Sequence, residues 1–477
     1  MSLKIIKNGT IVTTAETYSA EILINGEVIE AIGRDFERLH PEAEVIDAAG
    51  KYVFPGGIDP HVHLDLPMPG TVSSDDHYTG TKAAAFGGTT TVIDFANHDC
   101  PSLVESMLTI KRKADPIVAV DYSLHQNYTR YNEETLAEIP KLLEYGVPTI
   151  KLFTAYNGRL RTVDEGVLRV LRVTKENGMM ALVHAENGDI IERLIQEAKA
   201  AGHTEPIYHA ETRPDWTATE ATFRVCAMSE LAGGAPVYIV HMNAGEEPDV
   251  LKYAQSKGIP VHGETCPQYL LFTDDELKKP DGAKWVFSPP LRKAKDNAGL
   301  WKGIQEGTIQ TVATDHCPFM FDGTKTISYE GEPFSRPGKE LGRDDFTKIP
   351  NGLPGVGERL IALWNYGVRA GKITMNQFVA VTSANAAKIF GLTPKKGVIQ
   401  PGADADLVIW DPAKTFRYSV ASSRSRTDYS YLDGAEIVGA PEIVLLRGER
   451  IVDGDRWLGR KGGGRFIPRR PDRKSVV

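Results

Sequence analysis

The chain has 477 residues, 41% hydrophobic and 25% charged, with a formal net charge of -8, a balance that suits one large globular domain plus a smaller one and argues against a chain-wide nucleic-acid footprint. Its four cysteines (Cys100, Cys226, Cys266, Cys317) form no CxxC pair, so neither a thiolate zinc site nor a disulfide framework is expected. With no signal-peptide segment and no apolar run near the ~20 residues that span a bilayer, the expectation is a soluble cytoplasmic protein without membrane or nucleic-acid partners.

Residues 1–55 read as β-rich, with Asn8-Gly9 and Asn25-Gly26 each placed between apolar-rich runs as hairpin turns. From there the pattern changes. Eight apolar, β-branched runs alternate with helix-compatible segments: Ile58 to Leu64, Thr89 to Phe95, Ile117 to Leu124, Val147 to Phe153, Met179 to Ala185, Pro236 to Met242, Ile259 to Glu264 and Thr311 to Asp315. Such runs suit strands buried on both faces, and eight βα units over roughly 270 residues match a (β/α)8 barrel. The barrel is assigned to residues 56–398. β-rich sequence returns over 399–457, and the two β-rich ends are expected to fold together as one small β-sandwich, because neither has enough strands for a good core alone. Residues 458–477 form a basic, glycine-interrupted tail, read either as solvated or as an arm reaching a neighbouring subunit through Phe466 and Ile467.

Ligand-type side chains stand at the ends of several runs: His61 and His63, Lys151, His184, His241 and Asp315. On an extended strand His-x-His puts both imidazoles on one side, where they can chelate a divalent ion. A single histidine at a strand end is usually a polar cap; four together are a ligand set. Two close divalent ions also need anionic bridges. Lys151 lies in an apolar strand, which favours its neutral amine, and reaction with carbon dioxide would make it a carbamate bridge. Asp315 is a candidate weak ligand and proton carrier. Tyr156 is placed either to donate to a developing oxyanion or to pack as a loop aromatic. Asp59 and Asp65 are candidates for orienting the imidazoles, Asp65 alternatively for lining the substrate pocket. His262 is the most tempting extra ligand, set against a satisfied core histidine.

These residues sit in longer motifs. Pro55-Gly56-Gly57-Ile58-Asp59-Pro60-His61-Val62-His63 is followed by Ile150-Lys151-Leu152-Phe153-Thr154-Ala155-Tyr156, Val183-His184-Ala185-Glu186-Asn187, Gly263-Glu264-Thr265-Cys266-Pro267, Ser288-Pro289-Pro290-Leu291-Arg292, Ala313-Thr314-Asp315-His316-Cys317-Pro318 and Asn351-Gly352-Leu353-Pro354-Gly355. Over nearly its whole length the chain resembles the cyclic amidohydrolases, and within them the dihydropyrimidinase/hydantoinase group. The resemblance implies two divalent ions, usually zinc. His61, His63 and Asp315 would hold one and His184 and His241 the other, with carboxylated Lys151 as the bridge. It implies that Tyr156 polarises the ring carbonyl and that backbone groups near Ser288 and Asn351 hold the cyclic amide edge. It further implies hydroxide attack on that carbonyl, Asp315 carrying the proton to the leaving nitrogen, and an N-carbamoyl amino acid as product. A homotetramer, a dimer of dimers, is also implied.

Dihydropyrimidines (dihydrouracil, dihydrothymine) and 5-substituted hydantoins are the implied small-molecule substrates, with Asp65, Leu66, Phe153, Leu160 and Cys317 as pocket-lining candidates. Many dihydroorotases resemble His-x-His-x-Arg, but the arginine position here is Asp65, which would repel a substrate carboxylate. Allantoinase is the enzymatic alternative. The collapsin response mediator proteins are an alternative of another class, a non-catalytic scaffold, and the complete ligand set argues against it.

Overall fold

The computed structural model describes residues 3–470. Its centre is eight parallel strands in sequence order: β1 (Gly57–Val62), β2 (Thr89–Ala96), β3 (Asp121–Asn127), β4 (Thr149–Phe153), β5 (Met180–His184), β6 (Val237–Ile239), β7 (Val261–Thr265) and β8 (Thr311–Val312). All eight expected runs become strands, and intervening helices such as Asp164–Glu176 and Asp215–Leu231 make this the expected (β/α)8 barrel. At the seam between β8 and β1, Asp315 N–H donates to His61 C=O (3.0 Å) and His63 N–H to His316 C=O (2.8 Å). Below them the buried Arg359 guanidinium donates to the Ile58 and Val312 carbonyls at 2.8 and 3.0 Å.

The last expected run, Thr311 to Asp315, keeps only its first two residues as strand, because Asp315 is in the left-handed region (φ 54°). His241 (φ 40°) likewise lies just beyond β6. In both places the chain turns at the ligand-type residue, over the barrel mouth.

Both chain ends build the smaller domain. A four-stranded sheet takes Leu3–Lys7, Glu21–Asn25, Val28–Gly33 and Glu44–Asp47, and a seven-stranded sheet joins Thr10–Val12 and Tyr52–Pro55 to Leu407–Arg417 and Glu436–Leu446. Ile6, Ile22 and Ile24 of the first sheet share a core with Val53, Leu407 and Leu445 of the second, the packing of a β-sandwich. Asn25-Gly26 is the expected hairpin turn, with Asn25 opposite Val28. Asn8-Gly9 is not. Leu3–Lys7 and Thr10–Val12 lie in different sheets, and Asn8, at φ 62°, turns the chain from one to the other. A Cβ on Gly9 would stand 2.9 Å from a methyl of Val53, so the crossing takes no side chain.

Within the 458–477 tail, expected either to be solvated or to reach a neighbouring subunit, residues 464–469 pair within the chain, and residues 471–477 lie outside the described residues. Strands β3 and β4 meet only at Gln126–Ile150 and Asn127–Lys151. Into the gap below, Arg465 C=O accepts from Tyr122 N–H (2.9 Å), Ile467 N–H donates to Tyr122 C=O (2.7 Å) and Arg469 N–H to Gly146 C=O (2.8 Å). Phe466 packs edge-on against Tyr122, and the Arg469 side chain is buried between Ser123 and Thr149. The described residues contain no helix long and apolar enough to cross a membrane.

Candidate metal centre and its cavity

The C-terminal strand ends of the barrel surround a cavity of about 300 Å³, lined by His61, His63, Lys151, His184, His241, Asp315 and Tyr156. Ser288, Asn351, Leu66, Phe153, Leu160 and Cys317 also line it. Asp65 does not. It bonds Lys113 at 3.1 Å, and with φ at 52° its loop carries the side chain away from the cavity. His262 lies outside the lining as well: it shares the inward face of β7 with Glu264 but sits one strand repeat deeper, beside Tyr238 in the barrel interior.

The ring nitrogens fit a cation. His61 Nδ1 donates to the buried Glu264 carboxylate at 2.7 Å, which leaves the Nε2 lone pair facing Asp315 Oδ1 at 3.2 Å. His63 Nε2 is 3.0 Å from the same oxygen. His184 Nε2 faces Glu186 at 2.7 Å, so its Nδ1 lone pair is directed at His241 Nε2, 3.0 Å away. Ligand atoms of His61, His241 and Asp315 all fall within 4.8 Å of one another. Convergent imidazole lone pairs around a carboxylate, each outer nitrogen of His61 and His184 held by a buried acid, make a divalent-cation set.

Electrostatics agree. Burial opposes ionisation of Asp315, yet positive charge and N–H donation on the His61 and His63 side hold its carboxyl well below the usual range, the same pull that a cation facing their lone pairs would exert. Burial, then the neighbouring Lys151, keeps His241 well below the usual imidazole value. Burial brings Lys151 down to about 8, against the opposing pull of Asp315 and Glu264. Its Nζ sits 4.9 Å from the Phe95 ring centre and 5.4 Å from that of Phe153. The apolar setting read from the sequence is therefore real, and it makes a reactive neutral amine accessible near pH 8. The Tyr156 phenol is raised by burial and then by Glu186, so it stays a proton donor at neutral pH. Its ring centre lies 5.0 Å from that of His184, and its backbone is left-handed (φ 67°). Three cavity residues, Tyr156, His241 and Asp315, thus occupy a backbone region that costs of order 1 kcal/mol or more each, held there by the packed barrel.

Ser288 and Asn351 come together on the opposite wall, Ser288 Oγ donating to Asn351 Oδ1 at 3.4 Å. Among the described residues the Ser288 C=O and both backbone groups of Asn351 have no backbone partner. Beneath them is buried Lys339, whose ammonium donates to the carbonyls of Val286 (2.7 Å), Pro350 (2.6 Å) and Gly352 (2.8 Å). Burial pulls the Lys339 amine down to about 7, while the three carbonyl acceptors favour the protonated form, which spends all three protons on the two loops that carry Ser288 and Asn351.

Sequence reasoning missed Glu264, Glu186 and Lys339. Asp59, expected to orient imidazoles, instead accepts from Thr314 Oγ1 (2.7 Å) and from the His61 and Thr314 N–H groups. It braces the strand ends rather than the rings. Glu264 and Glu186 stand inside the motifs, at or just beyond strand ends; that signal was available but did not say which way each points.

The amidohydrolase family profile matches residues 52–449, and the chain belongs to that family. Within it the chain is 44% identical over 470 residues to the D-hydantoinase of Geobacillus stearothermophilus, covering 98% of this chain and 96% of the relative. It is 42% identical to the D-hydantoinase of Streptomyces coelicolor, covering 98% of each. Among solved structures, the dihydropyrimidinase of Brevibacillus agri superposes with a TM-score of 0.93 at 44% identity, covering 98% of both chains. The L-hydantoinase (dihydropyrimidinase) of Arthrobacter aurescens superposes at 0.88 with 29% identity, covering 98% of this chain and 100% of the other.

Proposed function

We propose that this protein hydrolyses the cyclic amide of 5,6-dihydropyrimidines and 5-substituted hydantoins, opening the ring to an N-carbamoyl amino acid. The observation that carries the reading is the set of imidazole lone pairs converging on Asp315 beside a buried, pKa-lowered lysine, in a cavity whose far wall offers free backbone amide groups. In this reading His61, His63 and Asp315 hold one divalent ion, most simply zinc, and His184 and His241 a second. Lys151, once carboxylated by carbon dioxide, would add an anionic carbamate to that ligand set. Bound there, two ions would supply hydroxide near neutral pH by lowering the pKa of water.

The chain's own groups do the rest. The Ser288 C=O and the Asn351 backbone hold the ring's amide edge by complementary hydrogen bonds. The Tyr156 hydroxyl donates to the carbonyl oxygen as negative charge develops on it. Asp315 accepts the proton of the attacking water and returns it to the leaving nitrogen. Leu66, Phe153 and Leu160 surround the exocyclic substituent. To the same proposal belong a homotetramer, a cytoplasmic location, and domain limits of 1–55 with 399–457 for the sandwich, 56–398 for the barrel and 458–477 for the tail.

The test is ring opening of dihydrouracil, hydantoin and allantoin side by side, with metal content measured on the same sample. Opening of dihydrouracil and hydantoin with about two ions per chain is expected. Preference for allantoin would keep the chemistry and change the substrate. A metal-loaded sample that opens none of them would leave the fold and the ligand set standing and reopen the substrate, whereas a sample that takes up no metal would favour the scaffold reading.

A further inference from the structure

The cavity above the ligand set does not end at its rim. Met68, Arg159 and Asn351 line it and also line a second chamber of about 440 Å³ on its outer side. Asn351, proposed to hold the ring's amide edge, therefore stands where the two spaces meet. The outer chamber has apolar wall at Leu341 and Ile349, and its charged lining is wholly cationic, Arg159 and Lys348. Asp99 lines the inner cavity but not the outer chamber.

Among the described residues Arg159, an exposed side chain, pairs with no carboxylate. It tops the turn that begins at Tyr156, whose carbonyl accepts from Arg159 N–H at 3.1 Å. Asp189 is engaged with Arg161 and Asn157, and Asp65 with Lys113, while Asp99, on the inner-cavity side, forms no ion pair with Arg159 among the described residues. Asp345, the carboxylate nearest Lys348 at 3.8 Å, is shared with Lys199 at 3.3 Å. Two cations facing one partly apolar space, without a carboxylate in its lining, attract an anion. A guanidinium in the wall is the side chain suited to bind a carboxylate through two parallel N–H bonds.

We infer that the outer chamber is a subsite for the exocyclic substituent of the ring substrate, and that it selects a substituent carrying a carboxylate on a short apolar stem. The inference rests on the cyclic-amide reading above. The stem would lie along Met68, Leu341 and Ile349, and the carboxylate would meet Arg159 with Lys348 adding charge. No arginine reaches the ring from the His-x-His motif, since Asp65 stands at that position and turns away to Lys113, whereas the cations of the outer chamber begin a substituent's length away.

The test compares kcat/KM for two hydantoins of matched shape, one bearing a carboxyethyl and the other a carbamoylethyl group, with metal-loaded full-length protein. The carboxylate is expected to be favoured about tenfold, and the preference to shrink as salt is raised. R159Q should bring the ratio close to one and K348Q should lower it in part. Equal handling of the two substrates by the parent protein, or an unchanged ratio in R159Q, would overturn the subsite while dihydrouracil and unsubstituted hydantoin were still opened. If those unsubstituted rings were not opened either, the cyclic-amide reading itself would fall, and the subsite with it.

Discussion

At the scale of single residues, the ligand types were legible because each one ends a recognisable apolar run. Their partners were not. That Glu264 reaches His61 across 203 positions of sequence is a product of closing the barrel, and strand periodicity does not state which strand ends become neighbours. Two substitutions test the roles proposed here. Lys151→Ala should leave a folded protein that retains well under two metals per chain and loses turnover; two retained metals would remove the carbamate bridge. Asp315→Asn should lower kcat by about 10²–10⁴-fold, the size of a lost general acid–base, and normal turnover in it would place the proton carrier elsewhere. A third tests burial away from the cavity. Glu358 is fully buried and burial pushes its carboxyl up to about 7, although Ser430 Oγ donates to it at 2.8 Å. A carboxyl raised above its unfolded value favours the fold when protonated, and that contribution is lost as pH rises from the unfolded value toward 7. Glu358→Gln should therefore gain stability relative to the parent at pH 8, by roughly 1–3 kcal/mol, and little or none at pH 4. Denaturant melts at the two pH values decide it, and a gain of equal size at both would show that charge is not the cause.

At the scale of elements, strand order and number were readable but strand ends were not. Left-handed residues decide where β6 and β8 stop, and an aspartate or histidine in that conformation looks in sequence like any other. Asn8-Gly9 carried the signal of a hairpin and serves a crossing between sheets, because the same turn chemistry suits either. The loops opposite the ligands were legible as motifs, whereas their support was hidden in a lysine that resembles a surface residue. Lys339 joins Val286, Pro350 and Gly352 by one ammonium, so the spacing between Ser288 and Asn351 depends on it. Lys339→Met removes three charge-assisted bonds and frees both loops. The expected result is a KM for hydantoin raised about tenfold or more with metal content retained, since held recognition groups lose preorganisation while the ligand set is untouched. A folded, metal-loaded variant with parental KM would make the lysine a support of the fold alone.

At the scale of the whole molecule, the sequence showed that both ends share a domain but not how that domain is tied to the barrel. The tie is a buried charge cluster. Lys396 is 1% exposed and its ammonium lies 2.6 Å from Asp121, 2.9 Å from Asp404 and 2.8 Å from Asp406. Asp121 opens barrel strand β3, and Asp406 immediately precedes the sandwich strand Leu407–Arg417. The Arg447 guanidinium also pairs with Asp121, while Arg465 N–H donates to it at 2.9 Å, bringing the C-terminal tail into the same cluster. A basic tail reads as solvated when charge alone is counted; here one of its backbone N–H groups reaches an aspartate already held by two other cations. Removing Lys396 leaves three carboxylates crowded in a dry interface, with Arg447 to compensate only one of them. Lys396→Met should accordingly destabilise the protein by about 3–5 kcal/mol at pH 8. The sign of its pH dependence follows from the same charges. Without the lysine, carboxyls such as Asp406, already raised by burial, rise further, so the variant's deficit should be largest above neutrality and shrink toward pH 5 as they take up protons. Unfolding monitored separately in barrel and sandwich would add the structural half of the argument. If this cluster couples the domains, the two transitions coincide in the parent and separate in the variant, whereas a coincident transition with an equal deficit at both pH values would assign the coupling to apolar packing instead.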